Sequence, residues 1–567
     1  MLNWITSRLG GSSSGDSSHP LGTDKNIDTF LAEIPTIIPQ RTLRDLTEWV
    51  GDTSSFIDPL PLAQATRALE RLDEFAQDAI ARCWAEMLAD AQKNRPITVE
   101  ANAVKAYLTG SHACNRKILA RLSADEEKGQ DKRVLARFAA RAMYNWVTLK
   151  KLNRLTYQAA EPAWWTEAHD LLREARDLGT AHLTGSIYPR HQLLSSVLKE
   201  YQIGVLFETA PLTNLTVGEI DAADRLVRWI EPHCRFSDTR SPLVPFYIVP
   251  EGGNGPARWQ EDDVYPLGTR FFGIAQGQAQ LTQLSASITR DQTVPDWLAA
   301  SGCSRQHILQ LLQKLITNWS ATPPSRKHPR VTAKGTIRVV NGLDMVRRML
   351  AASEFARSGR DLDYDIYLNN FHARHREHAV VTDTAPPPPK TPMDVLRLLE
   401  TAGDLQMMEH WEIIDLSRGG MGVRFTARRP WQRIGALIAY RLEDELNWHV
   451  AVIRRLGSSH GKPNAGLTCF GGTPFSSQVR LASTIHESNT WAVRTQETSG
   501  EGWHNAVLLS QEAKLLLVPS GIFSPERPIQ LSVEGKWRIA RLVKLMSRGT
   551  DYDLVSYMDD DKTQAAL

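Results

Sequence analysis

Two short clusters in this chain carry residue types suited to holding a charged, planar ligand. Arg326-Lys-His-Pro-Arg330 places two guanidinium groups four residues apart, directly before a strand-like run. Asp415-Leu-Ser417-Arg-Gly-Gly420 places a carboxylate, a hydroxyl and a glycine at the end of another such run. A guanidinium is a rigid, permanently charged fork of N–H donors that pairs with phosphate and stacks on flat rings. A carboxylate accepts hydrogen bonds, a hydroxyl adds another, and a glycine lets backbone come close because it has no Cβ. Taken singly, the arginine pair is equally a solvated basic linker. The Asp-x-Ser cluster is equally a turn in which both side chains cap backbone groups.

The elements that must position these clusters differ along the chain. Residues 1–24 include a Gly/Ser-rich run that reads as a flexible arm. From about 25 to 320, apolar residues recur every three or four positions over 62–88, 134–155, 164–178, 217–230 and 304–319, which predicts amphipathic helices. Ser304 is the expected N-cap of the last of these. An all-α helical bundle or short solenoid is the expected architecture of this half. A Pro- and cation-rich linker follows at 322–330. Strand-like runs then occupy 331–340, 410–417, 421–427, 434–442, 448–456 and 465–470, several with alternating polarity. Helix-like stretches at 342–358 and 392–403, joined by a polyproline segment, interrupt them as an insertion at about 342–408. From about 480 to 567, further strand-like runs predict a C-terminal β-rich domain, either a second small barrel or an extension of the first. The closing Asp-Asp-Asp-Lys reads as a frayed end. The fold class expected is α+β multidomain.

Taken together, in this order and in this strand context, the two clusters resemble the RxxxR and DxSxxG motifs of the PilZ family, small antiparallel β-barrels that bind the bacterial second messenger cyclic di-GMP. Ile434-Gly435, the run Trp448–Arg455 and Ala465-Gly466-Leu467 are similar to the strands that follow DxSxxG there. The likeness covers roughly 323–475. It implies a ligand site made of Arg326, Arg330, Asp415, Ser417 and Gly420. The arginines would take guanine O6 and N7 or phosphate, Asp415 the guanine N1–H and N2–H₂ edge, and Ser417 a further hydrogen bond. Gly420 would let the ligand approach. Arg330 and Asp415 lie farther apart than the family's motifs usually do, and the insertion accounts for the excess. It need not disturb a barrel, since loop-closure entropy grows slowly with length, but it is also placed where it would block the ligand face or offer a partner site.

The other clusters point to blander roles. His372, His375 and His378, with Glu377 among them, share a helical face and read as a solvated basic surface rather than a metal site. Glu167, His169 and Asp170 resemble a metal phosphohydrolase pair, but the accompanying His and Asp signature is missing. The Gly457–Pro463 run has the wrong spacing for a P-loop and reads as a hairpin. Trp146, Trp164 and Trp165 fall on helical stripes and read as core. No cyclase or phosphodiesterase signature is present, so no catalysis and no cofactor beyond the ligand are expected.

Composition sets the outer limits. The 567 residues are 42% hydrophobic and 23% charged, ordinary globular usage. Lys plus Arg is 66 and Asp plus Glu 64, a net charge of +2 that gives no case for bulk nucleic-acid binding. Five widely spaced cysteines make neither a disulfide framework nor a zinc site. No apolar run is long enough to span a bilayer, and the start does not read as a secretory leader, so a cytoplasmic location is expected. The expectation is a bacterial cyclic di-GMP receptor in which binding at the linker re-orients the helical domain toward a protein partner. The alternative is a ligand-blind PilZ-like scaffold that acts through protein partners.

Overall fold

A computed structural model describes residues 19–124, 131–158, 163–275, 277–322, 329–359, 391–401, 408–459, 462–481, 502–533 and 536–560. The chain divides into two compact units, Met1–Ser325 and Arg326–Leu567.

The first unit is built on helices α1 (Asp24–Glu33), α2 (Pro39–Val50), α3 (Leu62–Gln92), α4 (Thr98–Ala124), α5 (Lys132–Leu155), α6 (Ala163–Asp177), α7 (Val197–Thr209), α8 (Val217–Ile230), α9 (Gly277–Asp291) and α10 (Arg305–Asn318). Their starts follow local chemistry. Thr216 and Glu219 form a reciprocal capping box at α8, and Ser304 accepts the His307 N–H at α10. Their apolar stripes meet in one continuous core. Trp146 and Trp165 belong to it, edge to face at 5.1 Å, with Lys150 Nζ 4.1 Å from the Trp165 ring centre.

Helix α4 carries polar residues on its buried side. Asp73 on α3 is fully buried and accepts from Tyr107 Oη (2.7 Å), Ser111 Oγ (2.6 Å) and Asn115 Nδ2 (3.0 Å) on α4. This buried polar network hides the helix from a search for apolar periodicity.

The expectation of an all-α first half is corrected. A hairpin of β1 (Gly185–Tyr188) and β2 (Leu193–Ser195) lies in it, as does a four-stranded sheet of β3 (Arg235–Ser237), β4 (Phe246–Ile248), β5 (Ala257–Arg258) and β6 (Arg270–Gly273) in the order β3-β6-β4-β5. The stretch is too rich in Pro and Gly for a helix, and its aromatic residues stack across strands, Phe272 on Phe236 and on Phe246.

The second unit holds two barrels. The first contains β7 (Val331–Thr332), β8 (Thr336–Asn341), β9 (Glu409–Ser417), β10 (Gly420–Arg424), β11 (Leu437–Leu442), β12 (His449–Ser459) and β13 (Lys462–Cys469), all antiparallel. Strands β7 and β8 lie in sequence along one edge of β9, and β10 pairs with its other edge. The pairings therefore close into a ring, β8-β9-β10-β13-β12-β11 and back to β8. Ile337, Val339, Trp411, Ile413, Val423, Ile438 and Ile453 are buried. The opposite parity on β8, β11 and β12, namely Val340, Leu437, Ala439, Val450 and Val452, packs under helices α11 (Leu343–Arg357) and α12 (Pro392–Thr401). Burial on both faces explains why these strands read as nearly continuous apolar runs.

Glu400 on α12 anchors that cover. Its carboxylate accepts from Arg441 Nε (2.8 Å) and Nη2 (2.9 Å), Arg338 Nη1 (3.1 Å) and Trp448 Nε1 (3.1 Å), with the Glu400 and Arg441 side chains 1% and 0% exposed. Residues 360–390 and 402–407 of the insertion, including His372, His375, Glu377 and His378, lie outside the described residues.

The second barrel closes as β14 (Phe475–Leu481), β15 (Trp503–Ser510), β16 (Leu515–Pro519), β19 (Tyr552–Asp559), β18 (Lys536–Arg548) and β17 (Arg527–Val533). The strand-like run at 490–496 lies outside the described residues. The closing acidic run begins inside the fold: Asp559 ends β19 and pairs with Lys514 and Arg538, and Asp560 pairs with Arg541. That corrects the expectation of a frayed end for these two residues.

Candidate functional site

Strand pairing brings the two clusters together. The β7–β9 register sets Val331 opposite Leu416 and Thr332 opposite Asp415. Arg330, just before β7, therefore stands beside the end of β9. Its Nη1 donates to Asp415 Oδ2 at 3.2 Å, across a sequence separation of 85. The two side chains are 34% and 23% exposed, open enough for a ligand to reach both. Arg326 lies outside the described residues.

The tip is a tight hairpin. Ser417 pairs with Gly420, leaving Arg418 and Gly419 as the turn, and Ser417 Oγ donates to the Gly420 carbonyl at 3.2 Å. Gly420 has a reason within the barrel itself, since a Cβ there would collide with the Leu467 carbonyl oxygen of β13. Gly419 faces open space.

Two further glycines shape the surface beside Asp415. A Cβ at Gly422 would fall 2.7 Å from Asp415 Oδ2, so the carboxylate leans across the strand where a side chain is missing. Gly422 pairs with Gly466 on β13, and Gly466 pairs with Arg455 on β12. A Cβ at Gly466 would fall 2.6 Å from Arg455 Nε. Cross-strand partners project to the same side of a sheet. Asp415 and Arg455 thus lean toward one another over a floor of two glycines, with Arg330 at one edge.

A bulge on each flanking strand sets this row. Ile414 is the extra residue between Asp415 and Ile413 on β9, and Arg454 the extra one between Arg455 and Ile453 on β12. Val331 and Leu416, exposed at 68% and 38%, pair with each other on the opposite face of the sheet from Asp415 and take no part in the row. Sequence reasoning named Arg455 and Gly466 only as part of strands that resemble the family, and did not assign Arg455, Gly422 or Gly466 to the site. Only the glycines Gly422 and Gly466, each in the middle of a strand, signalled a close approach.

The cluster on α6 does not converge. Glu167 Oε1 meets His112 Nε2 at 2.6 Å, and that hydrogen bond holds the Glu167 carboxyl below its ordinary pKa. The His169 ring has both nitrogens engaged, Nδ1 with Tyr201 Oη at 3.0 Å and Nε2 with the Asn254 carbonyl at 3.5 Å. Burial lowers its pKa, which favours a neutral ring that donates from Nε2 and accepts at Nδ1. Asp170 pairs with Arg173 at 2.5 Å. Three neighbours in sequence thus serve three separate partners. Among the described residues no group of three His, Cys, Asp or Glu side chains is placed to hold a metal ion. Nor is any helix among them long and apolar enough to cross a membrane.

Residues 25–241 match the family described as "Cyclic-di-GMP receptor FimW, N-terminal domain", a match that covers less than half of the chain and ends before the barrels begin. No curated protein and no solved structure matches the chain.

Proposed function

We propose that this chain is a bacterial cyclic di-GMP receptor that reads the nucleotide on its first, PilZ-like barrel. The observation that carries the proposal is the Arg330–Asp415 pair, which joins the two sequence motifs at 3.2 Å. The matched family supports it from a separate part of the chain, since its printed description names a receptor for the same ligand and its residues, 25–241, do not overlap the motifs. A receptor requires binding and no catalytic group.

In this reading the ligand opens a weak contact. A half-exposed pair held by one hydrogen bond is worth about 0–1 kcal/mol, so exchange for a guanine or phosphate costs little. Arg326 and Arg330 take phosphate or guanine O6 and N7. Asp415, released, accepts from guanine N1–H and N2–H₂. Ser417 adds a hydroxyl, and Gly420 keeps the hairpin tip close to β13. Arg455 supplies a further cation across the glycine floor. The linker 322–330 closes over the ligand, which biases the helical domain toward a protein partner in the cytoplasm.

Calorimetric titration of cyclic di-GMP into the full-length protein tests this. Micromolar or tighter binding is expected, lost in the Arg326→Ala/Arg330→Ala double variant and weakened in Asp415→Ala. Binding that is unchanged in both variants would place the ligand elsewhere. No heat in the parent protein would leave the ligand-blind scaffold as the better reading.

A further inference from the structure

The two barrels have the same wiring. Numbered in chain order, the strands of the first run around the ring as 1-2-3-6-5-4, and so do those of the second. The longest break in each falls between strands 1 and 2, residues 342–408 in one and 482–502 in the other.

Two bulges agree as well, although strand 5 of the second barrel carries another at Met546, between Leu545 and Ser547, that the first lacks. In the second barrel Leu509 is the extra residue on strand 2, between Leu508 and Ser510, and Val543 the extra one on strand 5, between Leu542 and Lys544. In the first they are Ile414 on strand 2 and Arg454 on strand 5. Counting from these bulges sets Ser510 in the place of Asp415, Leu515 in that of Gly422, Ser556 in that of Gly466 and Lys544 in that of Arg455. The pairings Ser510–Leu515, Leu515–Ser556 and Ser556–Lys544 complete the same row. The β9–β10 hairpin continues for two more pairs to Ser417–Gly420, whereas the β15–β16 hairpin ends its pairing at Ser510–Leu515.

A helix packs on the outer face of strands 1, 2 and 3, beside this row. Val507, Leu509 and Leu517 of β15 and β16 share one apolar cluster with Leu343, Val346, Met349 and Leu350 of α11, and Leu515 packs against it. Polar contacts fix the seat. Arg347 Nε donates to the Ser477 carbonyl (3.1 Å), the Ser476 N–H donates to Glu354 Oε1 (2.6 Å), and Asn505 Nδ2 donates to Asp344 Oδ1 (2.7 Å). Helix α11 begins at Gly342, φ +85°, which has no capping side chain. The missing acceptor comes from the second barrel, where Asp551 Oδ2 takes the Leu343 N–H at 2.7 Å.

We propose that the C-terminal barrel is a second copy of the first whose ligand face has become a protein-docking face, occupied by helix α11 from the first barrel's own insertion. The second barrel is blind to the nucleotide and holds the insertion against the sensing barrel. The blindness rests on the function proposed above; the docking does not.

Hydrogen exchange on the full-length chain tests both parts. In Asp551→Ala/Glu354→Ala, exchange across 343–357 is expected to rise about tenfold or more, with 503–519 rising alongside. Asp551→Asn, which keeps an acceptor for the Leu343 N–H, should stay near the parent in an otherwise unaltered chain. Exchange in α11 that is unmoved by the double variant overturns the docking. Cyclic di-GMP should protect 415–422 and leave 508–517 unchanged, and protection at 508–517 overturns the blindness. If the nucleotide protects neither segment, the receptor reading fails, and the α11 readout decides the docking alone.

Discussion

On the first barrel the outward row across strands 2, 3, 6 and 5 is Asp415, Gly422, Gly466, Arg455; on the second it is Ser510, Leu515, Ser556, Lys544. Around this row the backbone frame is the same, down to a bulge on each side. What differs is Cβ atoms. Two glycines leave a shallow floor with a carboxylate and a guanidinium leaning over it. A leucine and a serine fill the same floor, and Leu515 joins Val507, Leu509 and Leu517 in an apolar surface that takes a helix. A small change in side-chain volume on a fixed frame thus separates a surface that can hold a polar ligand from one that packs protein.

The largest expected effect comes from the cover of the first barrel, which rests on a buried ion cluster. Glu400→Ala leaves Arg441 buried without its charge partner and should cost about 3–5 kcal/mol, read as a lower denaturant midpoint by tryptophan fluorescence. The second barrel has an apolar core, and Leu531→Ala there should cost about 2–5 kcal/mol through the cavity it leaves. If Glu400→Ala proved milder than Leu531→Ala, the ion cluster would not be what sets the first barrel apart.

Ligand binding should divide the barrels more sharply. Arg330→Ala and Asp415→Ala are each expected to weaken cyclic di-GMP binding by about 1–3 kcal/mol, roughly 30-fold at 2 kcal/mol. Ser510→Ala and Lys544→Ala, at equivalent places, should leave the titration curve where it was. Gly422→Ala is expected to act through Asp415, about tenfold by the same titration, because the new methyl group takes the carboxylate's space. The smallest effect belongs to Ser417→Ala, about 1 kcal/mol for one hydroxyl contact. An Asp415→Ala protein that bound as tightly as its Lys544→Ala counterpart would erase the distinction.

Much of this was legible in the sequence, for physical reasons that vary by region. The motif hairpin was visible because Asp, Ser and Gly at a strand end signal a turn, and the arginine pair ahead of it in sequence set it apart from an ordinary one. The strands of the first barrel were visible from their apolar runs, although β7 and β8 read as one because the break at 333–335 has no Pro. Helix α4 was hidden because Ser111 and Asn115, buried on Asp73, interrupt its apolar stripe. The sheet β3–β6 was hidden because its strands are two to four residues long, too short for alternation to show. Arg455 could be read only as a strand residue and not as part of the site, because its place beside Asp415 depends on two bulges and on a register set by strands far apart in sequence.

The cap on α11 also has a consequence in time. The Asp551 carboxylate follows the Leu343 amide it caps by 208 residues. At about 5–20 residues per second, a ribosome takes roughly 10–40 s to supply it. Through that interval the first turn of α11 lacks its cap, and the docking strands β14–β16 are made before the cap arrives. The helix therefore settles first on β8, β11 and β12, and its N-terminal turn is locked only when the final hairpin emerges, so the closing of this seat is one of the last events of synthesis.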